Sequence, residues 1–181
     1  MTSLTMKDIV YFEPLRPETF DTYITIGTKA YNQHYLHLWP HGDTAPYIQT
    51  SFTVTIVKKE FRDINTQLFL IYRNKECVGI LKLITDAPLE AYSKKEALYL
   101  DKIYIIKDAS GEGIGTKALQ FIWLRAKAAE KRVLWLAAMQ KGPALNFYKK
   151  NGFNIHSTTE IKFKQAIKVE KPMFIMIKRI P

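Results

Sequence analysis

Short apolar runs separated by polar turns dominate the middle of the chain, a pattern typical of strands in a covered sheet. Residues 68–72 and 77–84 flank a polar turn at 73–76, and this arrangement predicts a β-hairpin. A long apolar segment at 97–106 predicts a further strand, and the continuous apolar run at 133–138 predicts a buried one. Less regular patterns predict three more strands, at residues 8–12, 153–163 and 173–179.

Helical spacing of apolar residues is clearest after the glycines that follow the strand at 97–106. Between Gly113 and Lys131 the apolar positions fall on one stripe, formed by Ile114, Ala118, Leu119, Ile122 and Ala126. Pro143 suits the first turn of a helix, so residues 144–150 are predicted to be helical. The glycine of the Asn151-Gly152 pair is a typical helix stop.

The first third of the chain gives weaker patterns. Residues 18–31 are predicted to form a helix, and residues 34–43 a loop rich in aromatic and imidazole groups. A second helix is predicted from Pro46 to about residue 62, although the β-branched residues at 53–57 disfavour it.

The order of these elements predicts the fold class. Strands come first, followed by strand-helix-strand-helix-strand-strand, and no internal repeat or Gly/Ser linker interrupts the chain. This order predicts an α/β (α+β) fold with a mixed central sheet of about six to seven strands, flanked by about four helices. Residues 1–181 are expected to form a single domain.

The net charge of +10 is spread evenly. No block of like charge and no arginine-rich arm is present, so a solvated basic surface is expected and a nucleic-acid-binding module is disfavoured. No apolar run approaches the roughly 20 residues that cross a bilayer, and residues 1–8 lack a signal-peptide pattern. Cys77 is the single cysteine, which favours a reducing, cytoplasmic location without disulfides.

Three glycines lie in the segment from Ser110 to Gly115, between a predicted strand and the strongest helix pattern. Glycine lets backbone N–H groups approach a phosphate, and the first N–H groups of a helix lie at the positive end of its dipole. The segment therefore predicts an anion site suited to a pyrophosphate. Ordinary turn chemistry gives the same pattern, so the segment alone leaves both options open. It matches neither a P-loop nor a dinucleotide-binding fold.

Residues further along the chain give this loop a context. Ala144, then Phe147-Tyr148 and Gly152-Phe153, follow the glycine loop in order. Together with residues 103–105 this set resembles the GNAT superfamily of N-acetyltransferases, over about residues 66–180. Within it, residues 72–75 and 102–105 look most like the bacterial PaiA-type polyamine acetyltransferases. Two positions depart from the family pattern: Ser110 replaces the usual Gln or Arg, and Lys141 stands where many members have Asn.

The resemblance implies acetyl-CoA as co-substrate and a GNAT fold. It implies that backbone groups of Ile103, Tyr104 and Ile105 pair with the pantetheine arm. The loop expected to hold the pyrophosphate consists of Ser110, Gly111, Glu112, Gly113, Ile114, Gly115 and Thr116. Lys141 and Lys150 are further expected cofactor-binding residues. Tyr148 is expected to protonate the departing thiolate, because a phenol with a pKa near 10 can donate a proton to it.

Asp101 is the candidate base for an amine acceptor. It interrupts an apolar strand pattern two residues before Ile103, so both side chains are expected on one face. A buried aspartate without a partner would have a raised pKa. The alternative is a structural aspartate bonded to Lys102 or to backbone.

The aromatic segment around residues 31–41 is the candidate acceptor site. The ring faces of Tyr31, Tyr35 and Trp39 are candidates to bind a cationic amine. The alternative is an aromatic loop packed on the sheet, with surface histidines. The histidines of this segment lack Cys or carboxylate companions at ligand spacing, so no metal site is predicted.

These observations predict an N-acetyltransferase that moves an acetyl group from acetyl-CoA to a primary amine by direct attack. The acceptor is a small amine such as a polyamine, or a protein or peptide amine; neither nucleic acid nor membrane is an expected partner. The alternative is a degenerate, non-catalytic acyl-CoA sensor, which the departures at Ser110 and Lys141 motivate. An exposed C-terminal strand would allow a homodimer.

Overall fold

A mixed sheet forms the centre of the structure, a computed structural model that describes residues 9–181. The strands are β1 (Val10–Pro14), β2 (Thr66–Arg73), β3 (Glu76–Ile84), β4 (Ala97–Ile105), β5 (Val133–Met139), β6 (Asn154–Glu160) and β7 (Pro172–Arg179). Their order across the 7-stranded sheet is β1-β2-β3-β4-β5-β7-β6. Neighbouring strands are antiparallel except β4 and β5, which are parallel. The predicted mixed sheet is thus confirmed.

Helices cover both faces of this sheet. They are α1 (Phe20–Tyr35), α2 (Ala45–Ser51), α3 (Val54–Arg62), α4 (Ile114–Ala128) and α5 (Pro143–Lys150). Strand β2 shows why both faces need cover, because Leu68, Phe69, Leu70 and Ile71 are all buried. Phe69 and Ile71 pack in a cluster with α4, whereas Leu68 and Leu70 pack in a second cluster with α1 and α3. Alternating side chains of one strand therefore belong to two cores.

The boundaries of several elements differ from the sequence prediction. The predicted strand at 8–12 begins at Val10, and residues 1–8, with the signal-peptide expectation, lie outside the described residues. Helix α1 continues to Tyr35 instead of ending at residue 31. Two short 3-10 turns, Leu36–Leu38 and Pro40–Gly42, then occupy the predicted loop. Within residues 9–181, no helix is both long and apolar enough to cross a membrane.

The predicted second helix is two helices with a break at Phe52. Phe52 is 3% exposed and packs against α1, where a Cβ added to Gly27 would lie only 2.4 Å from its ring. The chain leaves helical geometry to insert this ring. Thr53 then starts α3 by accepting a hydrogen bond from the N–H of Ile56 at 3.3 Å. Burial of one aromatic side chain thus overrides a continuous helical pattern.

The expectation of an exposed C-terminal strand is wrong. Strand β7 is paired on both sides, with β5 and with β6. The chain returns past β6 to fill the gap beside β5, so β6 forms this edge of the sheet. Pairing of β7 with a second subunit is therefore blocked.

Replacing Gly79→Ala is expected to destabilise the fold by about 1–3 kcal/mol, the usual cost of overpacking. Gly79 lies where β3 passes β4, and an added Cβ would lie 2.6 Å from the carbonyl oxygen of Tyr104. Backbone cannot move aside as a flexible side chain can. Urea unfolding measures the change, with Lys75→Ala in the exposed turn of the same hairpin as control. Equal stabilities for the two variants would contradict this tight approach.

Candidate active site

Strands β4 and β5 separate soon after they meet. Three residue pairs join them, the last being Tyr99 with Trp135, whose rings stack with centroids 4.0 Å apart. Both strands continue for several residues beyond this pair. The sheet therefore opens into a V, with the second half of β4 along one side.

Backbone groups of β4 point into this opening. The N–H of Ile106 donates to the carbonyl of Val78 on β3, at 2.9 Å. Because backbone groups of an antiparallel strand alternate sides, those of Ile103 and Ile105 point the other way, into the V. Nε2 of His34 lies 2.9 Å from the carbonyl oxygen of Ile105 and donates to it when that nitrogen carries the proton. The backbone of Ile103 and the N–H of Ile105 are directed at any extended ligand in the V.

The glycine loop lies at the open end of β4. Gly111 and Gly113 have left-handed φ angles of +84° and +79°, and a Cβ at either would meet nothing within 4 Å. The backbone conformation, and not a packing contact, therefore requires glycine there. Gly113 directly precedes α4, so the first N–H groups of that helix adjoin open space. Such a helix start favours an anion.

Two side chains of the glycine loop form polar contacts with neighbouring parts of the protein. The hydroxyl of Ser110 donates to the carbonyl of Ile106 at 3.3 Å, inside its own turn. Arg73, on the β2–β3 hairpin, forms a salt bridge with Glu112 at 2.6 Å. Both contacts hold side chains of the loop within the protein, so the backbone N–H groups are the polar groups of the loop that could face an anion.

A close helix contact links the loop to Tyr148. A Cβ at Gly115 would lie 2.9 Å from the ring of Phe147, so glycine lets α5 approach the first turn of α4. The next residue on α5, Tyr148, contacts the rings of Phe147 and Phe153 and lines a cavity beside the V. Burial raises the pKa of Tyr148 well above its ordinary value of 10.0. The phenol is therefore protonated at neutral pH.

The cavity has a volume of about 540 Å³, within the usual range for a small-molecule site. Residues of β4, β5 and α5 form part of its lining. The lining also includes an aromatic wall that we define by six residues: Tyr31, Tyr35, Trp39, Tyr47, Tyr104 and Phe163. These rings come from α1, the turns after it, α2, β4 and the segment after β6.

The polar atoms of the aromatic wall largely bond to one another. Nε1 of Trp39 donates to the hydroxyl of Tyr31 at 3.0 Å, and the hydroxyls of Tyr47 and Tyr104 lie 2.6 Å apart. The rings of Tyr31 and Tyr47 stack with centroids 3.9 Å apart. Burial, with the neighbouring Tyr47 as a smaller cause, raises the pKa of Tyr35 to about 12. The wall is therefore uncharged at neutral pH and presents mainly ring surfaces.

Asp101 lies at a bulge of β4 on the cavity wall. Lys82 pairs with Lys102, but the next residue of β3 pairs with Leu100, so Asp101 is the extra residue. Oδ2 of Asp101 accepts from Lys82 at 2.9 Å and from Lys102 at 3.0 Å. Burial disfavours its charge, but these two ammonium groups outweigh burial and lower the pKa of Asp101 below 3.8. Asp101 is therefore ionised and weakly basic.

This ionic cluster extends beneath the cavity. Lys82 also bonds Oε1 of Glu60 on α3, at 2.6 Å. Oε2 of Glu60 and the hydroxyl of Tyr23 are buried without a hydrogen-bond partner among the described residues. Lys82 therefore stabilises the charged forms of both carboxylates, Glu60 and Asp101.

The remaining predicted site residues lie further out. Lys141 pairs with Glu170 at 2.9 Å, and Lys150 is exposed in the last turn of α5. His34, His37 and His41 are exposed and absent from the cavity lining. Over residues 9–181, no three His, Cys, Asp or Glu side chains are grouped to hold a metal.

Sequence reasoning missed four important positions, and each depends on distant packing. Tyr47 and Phe163 complete the aromatic wall, while Lys82 and Glu60 surround Asp101. Pro46 is a signal for the first turn of a helix, and it therefore indicates that Tyr47 is helical. Nothing in the sequence spacing indicates that Tyr47 contacts Tyr31. Lys82 interrupts an apolar strand, which signals a buried ion pair.

Solved structures share this architecture. The PaiA N-acetyltransferase of Thermoplasma acidophilum, solved with coenzyme A, matches with a TM-score of 0.74 at 15% identity, over 94% of this chain and 99% of that one. A probable acetyltransferase from Staphylococcus epidermidis gives 0.74 at 14%, over 96% and 100%. A variant of the Vibrio cholerae spermidine N-acetyltransferase gives 0.66 at 13%, over 94% and 93%. These likenesses establish the fold.

The family is established by the sequence itself. A family model described as the acetyltransferase (GNAT) domain matches residues 65–155, from β2 through α5 to the start of β6. This range contains the opening V, the glycine loop and Tyr148. The chain belongs to the GNAT family of acetyltransferases.

Proposed function

We propose that this acetyltransferase moves the acetyl group of acetyl-CoA to a primary amine held in the cavity, by direct attack of the amine nitrogen. The observation that carries the proposal is the V between β4 and β5. A glycine loop that leads into α4 lies at its open end, and a cavity of about 540 Å³ lies beside it. The donor and the acceptor can therefore meet between Tyr148 and Asp101.

The chain offers groups suited to two parts of the donor, the pantetheine arm and the pyrophosphate. The backbone of Ile103 and the N–H of Ile105 would pair with the amide groups of the pantetheine arm, as one strand pairs with another. The N–H groups from Gly111 to Thr116 would hold the pyrophosphate at the start of α4. Lys150, exposed on the neighbouring helix α5, would add long-range attraction. With Ser110 and Lys141 bonded elsewhere, the backbone would supply most of this site.

The reaction forms one bond and breaks another. The lone pair of the neutral amine attacks the thioester carbonyl, an N–C bond forms, and the C–S bond breaks. The sulfur receives a proton and the nitrogen loses one, so atoms and charge balance without a covalent enzyme intermediate. Tyr148 would supply the proton to sulfur, since it is protonated and borders the cavity.

Asp101 would orient the amine and not serve as a strong base. Its pKa is lowered by Lys102 and Lys82, despite the opposing effect of burial. Both lysines bind Oδ2. The other oxygen of the carboxylate would accept a hydrogen bond from the attacking nitrogen. The amine proton then leaves through water, since no histidine lines the cavity among the residues described.

Calorimetry and a thiol-release assay test this function together. Acetyl-CoA should bind, and thiol release should depend on both acetyl-CoA and an added primary amine. Absence of acetyl-CoA binding at millimolar ligand would reject the proposal. Binding without turnover for any amine would instead favour the non-catalytic sensor.

Replacing Gly113→Ala should weaken acetyl-CoA binding by about tenfold or more. A non-glycine residue at φ +79° costs roughly 1–2 kcal/mol, so the loop would relax and misplace its N–H groups. Calorimetric titration with acetyl-CoA measures the loss. Gly42→Ala, at φ +70° in a turn outside this loop, is the matched control and should bind acetyl-CoA normally. Unchanged affinity in Gly113→Ala would remove the loop from the donor site.

A further inference from the structure

Charge and ring surfaces of the cavity restrict the kind of amine that fits it. Among the described residues that line it, Asp101 and Glu160 carry carboxylates and Lys162 an ammonium group. Asp101 already binds two lysines. Glu160 is exposed at the rim, close in sequence to the exposed Lys162. With the groups bonded to Asp101 and to Lys82 included, the carboxylates of Asp101, Glu160 and Glu60 face the ammonium groups of Lys82, Lys102 and Lys162. Three negative charges thus face three positive ones, so this region carries no excess negative charge.

A polyamine would need a cavity with excess negative charge. Each of its ammonium groups loses hydration on entry and must regain it from a carboxylate or another acceptor. Among the described residues that line the cavity, Asp101 is the only carboxylate that is not exposed, and it is already paired with Lys82 and Lys102. The net charge of +10 also repels a polycation at long range.

The aromatic wall favours a different molecule. Its six rings surround the acceptor side from five segments of the chain, and its N–H and O–H groups are bonded in the pairs Trp39–Tyr31 and Tyr47–Tyr104. Such a wall offers ring faces and edges, which pack best on another ring. An apolar surrounding also lowers the pKa of an entering ammonium group, because it disfavours the charged form. The neutral, nucleophilic amine is thereby favoured.

We propose that the acceptor is a monoamine with an aromatic or bulky apolar body, and that the aromatic wall selects it over linear polyamines. This inference rests on the proposed role of the cavity as the amine site. Phe163 is a suitable ring to test, since it is half-buried in the segment after β6 and contacts Trp39 and Tyr47 edge-on, with centroids 5.5 Å and 5.9 Å away.

Calorimetry of the coenzyme A complex with three amines tests the inference independently of turnover. The probes are 2-phenylethylamine, n-butylamine and 1,4-diaminobutane. We expect 2-phenylethylamine to bind about tenfold more tightly than 1,4-diaminobutane, with n-butylamine between them. Equal or tighter binding of the diamine would overturn the inference, as would absence of binding by all three. If 2-phenylethylamine binds and no amine is acetylated when acetyl-CoA is supplied, the proposed function fails while the binding preference stands.

A variant of Phe163 tests whether the aromatic wall causes the preference for an aromatic amine. Phe163→Leu keeps an apolar side chain and removes the ring, so it should weaken 2-phenylethylamine binding about fivefold and change n-butylamine binding less than about twofold. Lys168→Ala, an exposed position further along the same segment, should leave both affinities unchanged. Equal weakening of both amines by Phe163→Leu would show that general packing, and not ring recognition, holds the acceptor.

Discussion

Tyr148→Phe is expected to lower kcat about a hundredfold or more, the usual contribution of a positioned proton donor. The variant keeps the ring that packs on Phe147 and Phe153 and removes only the hydroxyl. The thiolate would then depart without a proton in an apolar cavity, where its charge is costly. Steady-state thiol release with acetyl-CoA and 2-phenylethylamine measures the effect.

Two comparisons make this result specific. The affinity for acetyl-CoA, measured by calorimetry, should stay within about twofold, because the hydroxyl acts on the leaving sulfur during reaction. Tyr11→Phe, a 40% exposed tyrosine on the far edge strand β1, should keep full turnover. Full turnover in Tyr148→Phe would remove the assigned role and leave proton delivery to water.

Lys82→Met should destabilise the protein by about 3–5 kcal/mol at neutral pH, the cost of removing one partner of a buried ion pair. Lys82 is 8% exposed and is bonded to both Glu60 and Asp101. Methionine has nearly the same shape, so the loss reports the missing charge. Glu60 would keep a buried carboxylate whose Oε2 already lacks a partner.

Chemical unfolding at pH 7 measures this change, and Lys95→Met is the matched control. Lys95 bonds Asp86 at 3.0 Å, but its side chain is 79% exposed, so its loss should change stability by less than about 1 kcal/mol. Adding Glu60→Leu to Lys82→Met should recover part of the stability, because the carboxylate is removed with its partner. A loss below about 1 kcal/mol for Lys82→Met would contradict a charge-dependent cluster.

The pH dependence of this cluster has a definite sign. The folded-state pKa of Asp101 lies below 3.8, because Lys102 and Lys82 outweigh the effect of burial. The stabilisation from Asp101 is therefore complete above the ordinary aspartate pKa and disappears as the pH falls through the lower folded value. The stability difference between the wild-type protein and Lys82→Met should accordingly shrink under acid conditions.

Local sequence signals predicted the elements of the proposed donor site. Glycines after a strand indicated the turn into α4, and Pro143 and Gly152 bounded α5 within one residue. Such signals work because they depend on φ angles and capping of a few consecutive residues. The roles of Gly113 and Tyr148 toward acetyl-CoA remain predictions from resemblance and geometry.

The proposed acceptor site was less accessible to sequence reasoning. Tyr31, Tyr35 and Trp39 were predicted as a set because they are close in sequence, whereas their partners Tyr104 and Phe163 lie far along the chain. No periodicity links such residues. Only the packing of α1 and α2 over β4, and the return of the chain after β6, brings the rings together.

The sequence by itself determined the mixed α/β fold, the glycine turn before α4 and the family to which the chain belongs. These depend on hydrophobic periodicity and on backbone preferences of single residues, which act over short distances. The tertiary structure alone decided the break at Phe52, the bulge that turns Asp101 between Lys82 and Lys102, and the closure of the aromatic wall. Each of those features arises because burial and charge pairing between distant segments outweigh local propensity.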